Sequence, residues 1–434
     1  MKTDLPFGKI LTACAVLPML IPPYIKAIGW ITLTGRQGFL CRLFHWNINI
    51  FNLTGAAFIL GTSYFPVIML LLAFSMSFYD PSLEEAATLH KSPANVFKSV
   101  IFPLSFNPLL LGLLLVFILS FTNFNIPALL GLKVYTVEIF SYFEAFGDFS
   151  QVFIASLPSM AVLFAMIVLL GILSTRIPKS CISENVHSHK IHLRLSFIPL
   201  TVIFLILLLS VFLPCIGLFV KTQALRAIPK AIMLSSRELI NSFTFSLVGS
   251  VLIISIAIVV STLLIRLENY SHLLIPLVLP GTLSAIGLIT IMNRPWLSVI
   301  YKTPAILVIS YLLKFLPVAT VGIAFYMKKI HLSLLESGWC VKNEKSVLLR
   351  ITYPLISNGV FLVGLLVFAF CLGELDSTAL LIAPGTATIP LKIFNLMHYG
   401  ADNVVASLCL VIIVVSTALF AGMSLILKYA HHQI

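Results

Sequence analysis

Residues 85–103 read EAATLHKSPANVFKSVIFP, and residues 336–354 read ESGWCVKNEKSVLLRITYP. Each stretch opens on Glu and closes on Pro, 18 residues apart in both. Lys91 matches Lys342 and Val96 matches Val347; beyond the prolines, Asn107 matches Asn358 and Phe117 matches Phe368, all at an offset of 251. A register held over that distance marks an internal duplication. The chain is therefore read as two related halves, residues 1–175 and 195–434, joined by a basic linker at 176–194.

The class follows from what surrounds the two stretches. Apolar residues make up 59% of the 434 and charged residues 10%, whereas a soluble domain is roughly half apolar and about a quarter charged. That leaves too little polar surface to cover a water-soluble globule. A helix crossing the hydrocarbon needs about 20 apolar residues, because all its backbone groups must be bonded internally. Ten runs meet this length: Ile10–Trp30, Gly55–Tyr79, Leu104–Asn123, Val152–Thr175, Leu195–Val220, Phe243–Ile265, Leu273–Asn293, Pro304–Met327, Leu355–Leu372 and Asn403–Leu427. The expected fold is all-α, a polytopic transmembrane helix bundle of about 10 spans.

Six of these runs separate the duplicated stretches, an even number, which places both on one membrane face. The repeat is thus parallel; an inverted repeat would place an odd number between them. With the N-terminus inside, the duplicated loops are cytoplasmic, along with Lys98, Arg176, Lys179, Lys190, Arg194, Lys328, Lys345 and Arg350. Lys221, Arg226, Lys230 and Arg237 fall on the other side, so the positive-inside rule supports this orientation only weakly. Within its own half the second loop is preceded by four runs and the first by only two. Two spans are therefore expected to be missing at the N-terminus, through a short gene or a start upstream of Met1.

The net charge of +12 sits in short clusters between apolar runs and not along one helical face with interleaved aromatics, so lipid is the expected partner and nucleic acid is not. Seven scattered cysteines include no Cys-x-x-Cys pair, which argues against a disulfide framework or a zinc site. His187, His189 and His192 near Cys181 lie in the basic linker and are read as solvated. No metal site and no cofactor is expected. The sequence holds no phosphate loop, no His-Glu-x-x-His and no Gly-x-Ser-x-Gly, so it is not read as an enzyme.

The first loop, with Glu84, Glu85, Ala86 and Ala87, then Ser92-Pro93 and Ile101-Phe102-Pro103, resembles the EAA loop of type I ABC importer permeases. The resemblance to such permeases covers nearly the whole chain: Leu17-Pro18 through Trp30 resembles the opening span of their cores and Glu238 through Ser242 the entry to the second core. Lys314 through Pro317, and Gly373 through Asp376 with Ile389 through Asn395, are similar to stretches of ferric-iron permeases in which two halves are fused. The resemblance implies a subunit that forms the translocation pathway, sits in the bacterial cytoplasmic (inner) membrane as a multi-pass protein, and carries no ATPase of its own. Its implied partners are two cytoplasmic ATP-binding subunits and a periplasmic or extracellular substrate-binding protein.

The implied ATPase-coupling residues are Glu84, Glu85, Ala86, Ala87, His90, Lys91 and Pro103 in the first loop, and Glu336, Ser337, Gly338, Lys342 and Pro354 in the second. The glycine of the family motif falls on His90 or Lys91 in one loop and on Val341 or Lys342 in the other. Side chains there resist a turn that glycine would accept. Physically, Glu85 near a helix start interacts favourably with the helix dipole, and Pro103 ends the loop where a span begins.

Lys314 stands in the middle of an apolar run, where a charge costs at least about 2.5 kcal/mol unless it faces protein or water. Lys314, Glu374 and Asp376 are therefore candidates for the pathway or for a helix-to-helix lock; the alternative is a lysine that snorkels or caps carbonyls near Pro317. The segment from Lys221 to Ser242 has the pattern of a short amphipathic helix on the outer surface, a docking face or an interfacial anchor. Other readings stay open: a permease for thiamine, polyamine or sulfate, a degenerate inactive permease, and a secondary transporter driven by an ion gradient. The last predicts intramembrane carboxylates, which the ten runs essentially lack.

Overall fold

A computed structural model of the chain describes residues 8–35, 38–44, 49–76, 81–175, 197–222, 227–264, 280–328, 330, 334, 337–338, 340, 343–381, 383, 385–400 and 402–430. These residues form helices and turns, with no strand among them. Among the described residues eight helices are long and apolar enough to cross a membrane, or nine counting one bent pair as a single span. The protein is a multi-pass, all-α membrane protein. The linker at 176–194 lies outside the described residues.

In the first half the helices are α1 (Gly8–Leu20), α2 (Pro23–Thr34), α3 (Phe39–Phe44), α4 (Leu53–Met76), α5 (Pro81–Thr88), α6 (Pro93–Val96), α7 (Phe102–Phe121), α8 (Asn125–Leu129), α9 (Tyr135–Phe146) and α10 (Phe149–Thr175). The second half contributes α11 (Phe197–Leu207), α12 (Leu213–Lys221), α13 (Ala227–Leu234), α14 (Ser236–Leu264), α15 (Gly281–Met292), α16 (Ser298–Tyr301), α17 (Ala305–Lys328), α18 (Glu344–Val347), α19 (Tyr353–Leu372), α20 (Ile389–His398) and α21 (Asp402–Ala430).

The duplication read from the loops extends through this order. Helices α2 and α15 are both 12 residues long and follow an extended proline, Pro22 at φ −51°, ψ 135° and Pro280 at φ −50°, ψ 140°. Helices α4 and α17 have 24 residues each, and α7 and α19 have 20 each. Shortly after α9 and α20 the chain turns on a left-handed glycine, Gly147 at φ 62° and Gly400 at φ 72°, a conformation that a Cβ opposes.

Spatially the chain forms two compact units, residues 1–132 with 158–217, and residues 133–157 with 218–434. In the first unit the run expected as one span, Ile10–Trp30, is two helices bent by 96°. Pro22 and Pro23 supply no N–H to the carbonyls of Pro18 and Met19 four residues back, so the helix breaks there. The buried ammonium of Lys26 donates to the carbonyl of Pro18, replacing a donor that Pro22 lacks. Helix α2 then packs through Ala27, Trp30 and Leu33 on Ile59 and Leu60 of α4 and on Ile126 of α8. It also meets α12 backbone to backbone. A Cβ on Gly29 would lie 2.6 Å from the carbonyl oxygen of Pro214, and one on Gly217 would lie 2.6 Å from that of Gly29. Small residues that let membrane helices approach this closely are a common packing device.

In the second unit α14, α17 and α19 pack together around Ala257, Tyr311, Ala319, Ile323 and Val367. Helix α9 belongs to this unit, where Ile139 lies with Val152 and Ile286 of α15. Within the run expected as a span at Leu273–Asn293, the described part is α15, preceded by Pro280. At about 1.5 Å per residue it is shorter than the roughly 30 Å hydrocarbon core.

Candidate functional site

The duplicated loops have one build. Helix α5 carries Glu84, Glu85, Ala86 and Ala87, and it ends where the amides of His90 and Lys91 donate to the carbonyl of Ala87 at 3.2 and 3.0 Å. The chain restarts as the amides of Asn95 and Val96 donate to Ser92, both at 2.9 Å; at the same offset of 251, Ser346 and Val347 donate to Asn343 at 2.8 and 3.1 Å. Val96 and Val347 anchor the two turns, at 2% and 1% exposure. The Lys91 ammonium donates to Ser99 at 3.1 Å, and Leu89 stands 80% exposed beside it.

A five-residue π turn follows in each loop, Phe97–Ile101 and Leu348–Thr352. The amide of Phe102 reaches back to Phe97, and that of Tyr353 to Leu348. Pro103 and Pro354 come next, and each lacks the N–H its i−4 carbonyl needs while its ring crowds that carbonyl. The ladder relaxes by one residue just upstream, a local irregularity often found at functional sites. A third π turn, Leu208–Phe212, precedes Leu213-Pro214 in the same way.

In the second loop Gly338 occupies the place of Ala87. A Cβ there would come within 2.9 Å of Cδ1 at the tip of the Ile351 side chain, which would have to shift to admit it. The Ser337 hydroxyl donates to the carbonyl of Leu334. Glu336 and Lys342 lie outside the described residues.

Lys314, Glu374 and Asp376 come together. The Lys314 ammonium on α17 donates to Glu374 Oε2 at 2.7 Å and to Asp376 Oδ2 at 2.8 Å. Glu374 Oε1 accepts from the amide and hydroxyl of Ser377, each at 3.1 Å. Asp376 Oδ1 has no hydrogen-bond partner among the described residues, nor does the hydroxyl of Thr282 on the first turn of α15. Glu374 and Asp376 are 5% and 7% exposed. Irregular backbone in a membrane protein is tolerated where protein buries it, and Leu375, Ser377 and Thr378 are buried too. Gly281 makes the approach possible, since a Cβ there would lie 2.6 Å from the Asp376 Cβ.

The equivalent place in the first half carries amides. At the offset of 251 Glu374 becomes Asn123, Asp376 becomes Asn125 and Lys314 becomes Ser63. Four backbone hydrogen bonds recur there, although 125–129 close into a helix and 376–380 remain turns. Amides of Thr122, Asn123, Ala128 and Leu130 donate to Ile118, Ser120, Phe124 and Ile126, and those of Gly373, Glu374, Ala379 and Leu381 donate to Ala369, Cys371, Leu375 and Ser377. Asn123 Oδ1 accepts from the amide of Ile126 at 3.0 Å, just as Glu374 accepts from Ser377. The sequence signal for this match is Ala128-Leu-Leu130 against Ala379-Leu-Leu381.

Two further stretches singled out in the sequence also meet. Asn241 donates to the carbonyls of Gly385 and Ala387, and the amide of Ile389 donates to Ser242 at 2.7 Å. Lys392 on α20 reaches Glu238 Oε1 at 2.8 Å and the carbonyl of Leu234 at 2.7 Å. The expected amphipathic segment contains α13, with Ala231 buried and Met233 and Leu234 exposed. The buried Lys26 is the charged residue that periodicity did not single out; its signal was a lysine shortly after a double proline.

No family model matches the chain. The Fe(3+)-transport system permease protein FbpB 2 of Haemophilus influenzae is 25% identical over 408 residues, covering 90% of this chain and 77% of that protein. The chain resembles the permeases of ferric-iron transport systems. A second relative, the ferric transport system permease protein FbpB of Actinobacillus pleuropneumoniae, is 28% identical over 174 residues, 37% of this chain and 24% of its own length. The molybdenum transport system permease protein ModB of Haemophilus influenzae is 32% identical over 126 residues, 27% of this chain and 54% of its own. These permease relatives and the eight apolar helices agree with the resemblance carried by the duplicated loops.

Proposed function

We propose that this chain is the membrane-spanning permease subunit of an ABC importer in the bacterial inner membrane. It passes ferric iron, delivered by an external binding protein, and two cytoplasmic ATPase subunits drive it through the loops at Glu85 and Glu336. The observation that carries the reading is the pair of loops with one register, one buried valine anchor and one π turn ahead of a proline. A stiff turn seated on a valine transmits a push from its exposed surface to the span that follows. Iron as the substrate draws support from the relatives named for Fe(3+) and ferric transport.

Co-purification of the chain with a tagged ATPase subunit from the same genome tests the coupling role. Deleting residues 84–91 and 336–342 together is expected to end capture, and capture that survives both deletions overturns the role. Uptake of radioactive ferric iron into proteoliposomes holding the full complex is expected to need ATP and the binding protein. Uptake that continues without the ATPase and collapses with a proton gradient would make the chain an ion-driven transporter.

A further inference from the structure

We propose that Glu374, Asp376 and Thr282 form a transient site for a hard, oxygen-seeking cation, and that the Lys314 ammonium is a tethered occupant which such a cation displaces.

The charges give the first reason. With all three groups ionised the cluster carries one negative charge more than positive, inside protein, next to a span. The dipole at the start of the 12-residue α15 offsets part of that excess, about half a charge. The donor set gives the second. Ammonium Nζ sits between two carboxylates, 2.7 and 2.8 Å from one oxygen of each. A metal ion binds carboxylate oxygens at about 2.0 to 2.6 Å, so the same position suits it after a small inward movement. Asp376 Oδ1 and the Thr282 hydroxyl lack partners among the described residues, and both can act as oxygen donors.

Lysine can leave. Its side chain is 25% exposed while the carboxylates are 5% and 10% exposed, and its four-carbon stem is flexible where the carboxylates are held by short loops. No three His, Cys, Asp or Glu side chains gather at metal-binding distance among the described residues. The first half, with Ser63, Asn123 and Asn125 in these positions, keeps four backbone hydrogen bonds and loses the charge. Of these two equivalent places, the second half's alone carries the charges.

The ligand class rests on the importer reading, but the test does not need the other subunits. Full-length chain in lipid nanodiscs is titrated with Tb3+, a hard trivalent probe, and bound ion is measured by equilibrium dialysis and by the shift in thermal midpoint. One saturable class is expected. Asp376→Asn should weaken it about tenfold or more, and Lys314→Met should strengthen it about tenfold or more, since the competing ammonium is gone. Lys314→Arg should bind no tighter than the parent, and the exposed Glu138→Gln should match the parent. If Lys314→Met unfolds without metal, recovery on adding Tb3+ supports the site. A structural lock predicts the reverse, with Lys314→Met gaining nothing. That result, or parental binding by Asp376→Asn, overturns the proposal and leaves ATPase capture by the loops untouched; failed capture would refute the importer and leave the cation site standing.

Discussion

Phe117 and Phe368 hold the same place in the two halves, yet the first is 42% exposed and the second 5%. Phe368 makes an edge contact with Phe243 of α14. In the first half the helix that precedes the bend, α1, packs on α4 but has 13 residues against the 29 of α14, and Leu113 and Phe117 of α7 stay exposed. A similar contrast runs through the polar sites. One backbone turn carries Glu374 and Asp376 in the second half and Asn123 and Asn125 in the first. Duplicated backbone and duplicated chemistry are separate inheritances: hydrogen bonds of the turn survive on amide or carboxylate alike, whereas charge and burial depend on what packs alongside.

The largest effect should come from unbalancing the charged site. Lys314→Ala leaves two buried carboxylates facing each other, and loss of one partner from a buried ionic group costs about 3 to 5 kcal/mol. Ser63→Ala, its counterpart, removes a hydroxyl that only bonds the carbonyl of Ile59 in its own helix and should cost about 1 kcal/mol or less. A denaturant titration in detergent compares the two. Converting the second half to the chemistry of the first, with Lys314→Ser, Glu374→Asn and Asp376→Asn together, should recover most of the loss. A triple variant as unstable as Lys314→Ala would show that the two turns are not equivalent.

The next effect separates glycines by their surroundings. Gly29→Ala drives a methyl into the backbone of Pro214, an overpacking worth about 1 to 3 kcal/mol. Gly61, also on a first-half helix, has nothing within 4 Å of a built Cβ. Gly61→Ala should therefore be stabilising by about 0.5 to 1 kcal/mol through helix propensity alone. Equal thermal midpoints for the two variants would refute the close crossing of α2 and α12.

How much of this could be read from the chain alone varies with the kind of interaction. The loops were legible because their register spans a proline that both copies need, and Lys314 because one charge in an apolar run demands a partner. The bend at Pro22-Pro23 was written in the sequence, but an apolar window counts side chains and not missing N–H donors, so Ile10–Trp30 looks like one span. The amide turn at Asn123 stayed hidden because the register slips by three residues before Gly385, which answers to Gly131 at an offset of 254. Lys26 was missed because its partner is a backbone carbonyl, and no side-chain pattern announces that.

The loops offer the mildest perturbation and the sharpest comparison between stability and coupling. Val96→Ala and Val347→Ala each empty a buried anchor, and each should cost about 1 to 3 kcal/mol, by similar amounts in the two halves. Lys91→Ala is different. Its bond to Ser99 is exposed, and exposed pairs contribute about 0 to 1 kcal/mol, so the fold should barely register the change. If Lys91 is instead a contact for an acidic surface of the ATPase subunit, capture should weaken in Lys91→Ala and the remaining difference from the parent should shrink as salt is raised, because exposed charges are screened within about 10 Å at 0.1 M. Lys342→Ala should do the same if the loops act as a pair, and the double variant should lose more than either. Equal capture by parent and double variant at low salt would confine both lysines to a structural role and leave exposed Leu89 as the contact to test, with the buried valines only seating the turns.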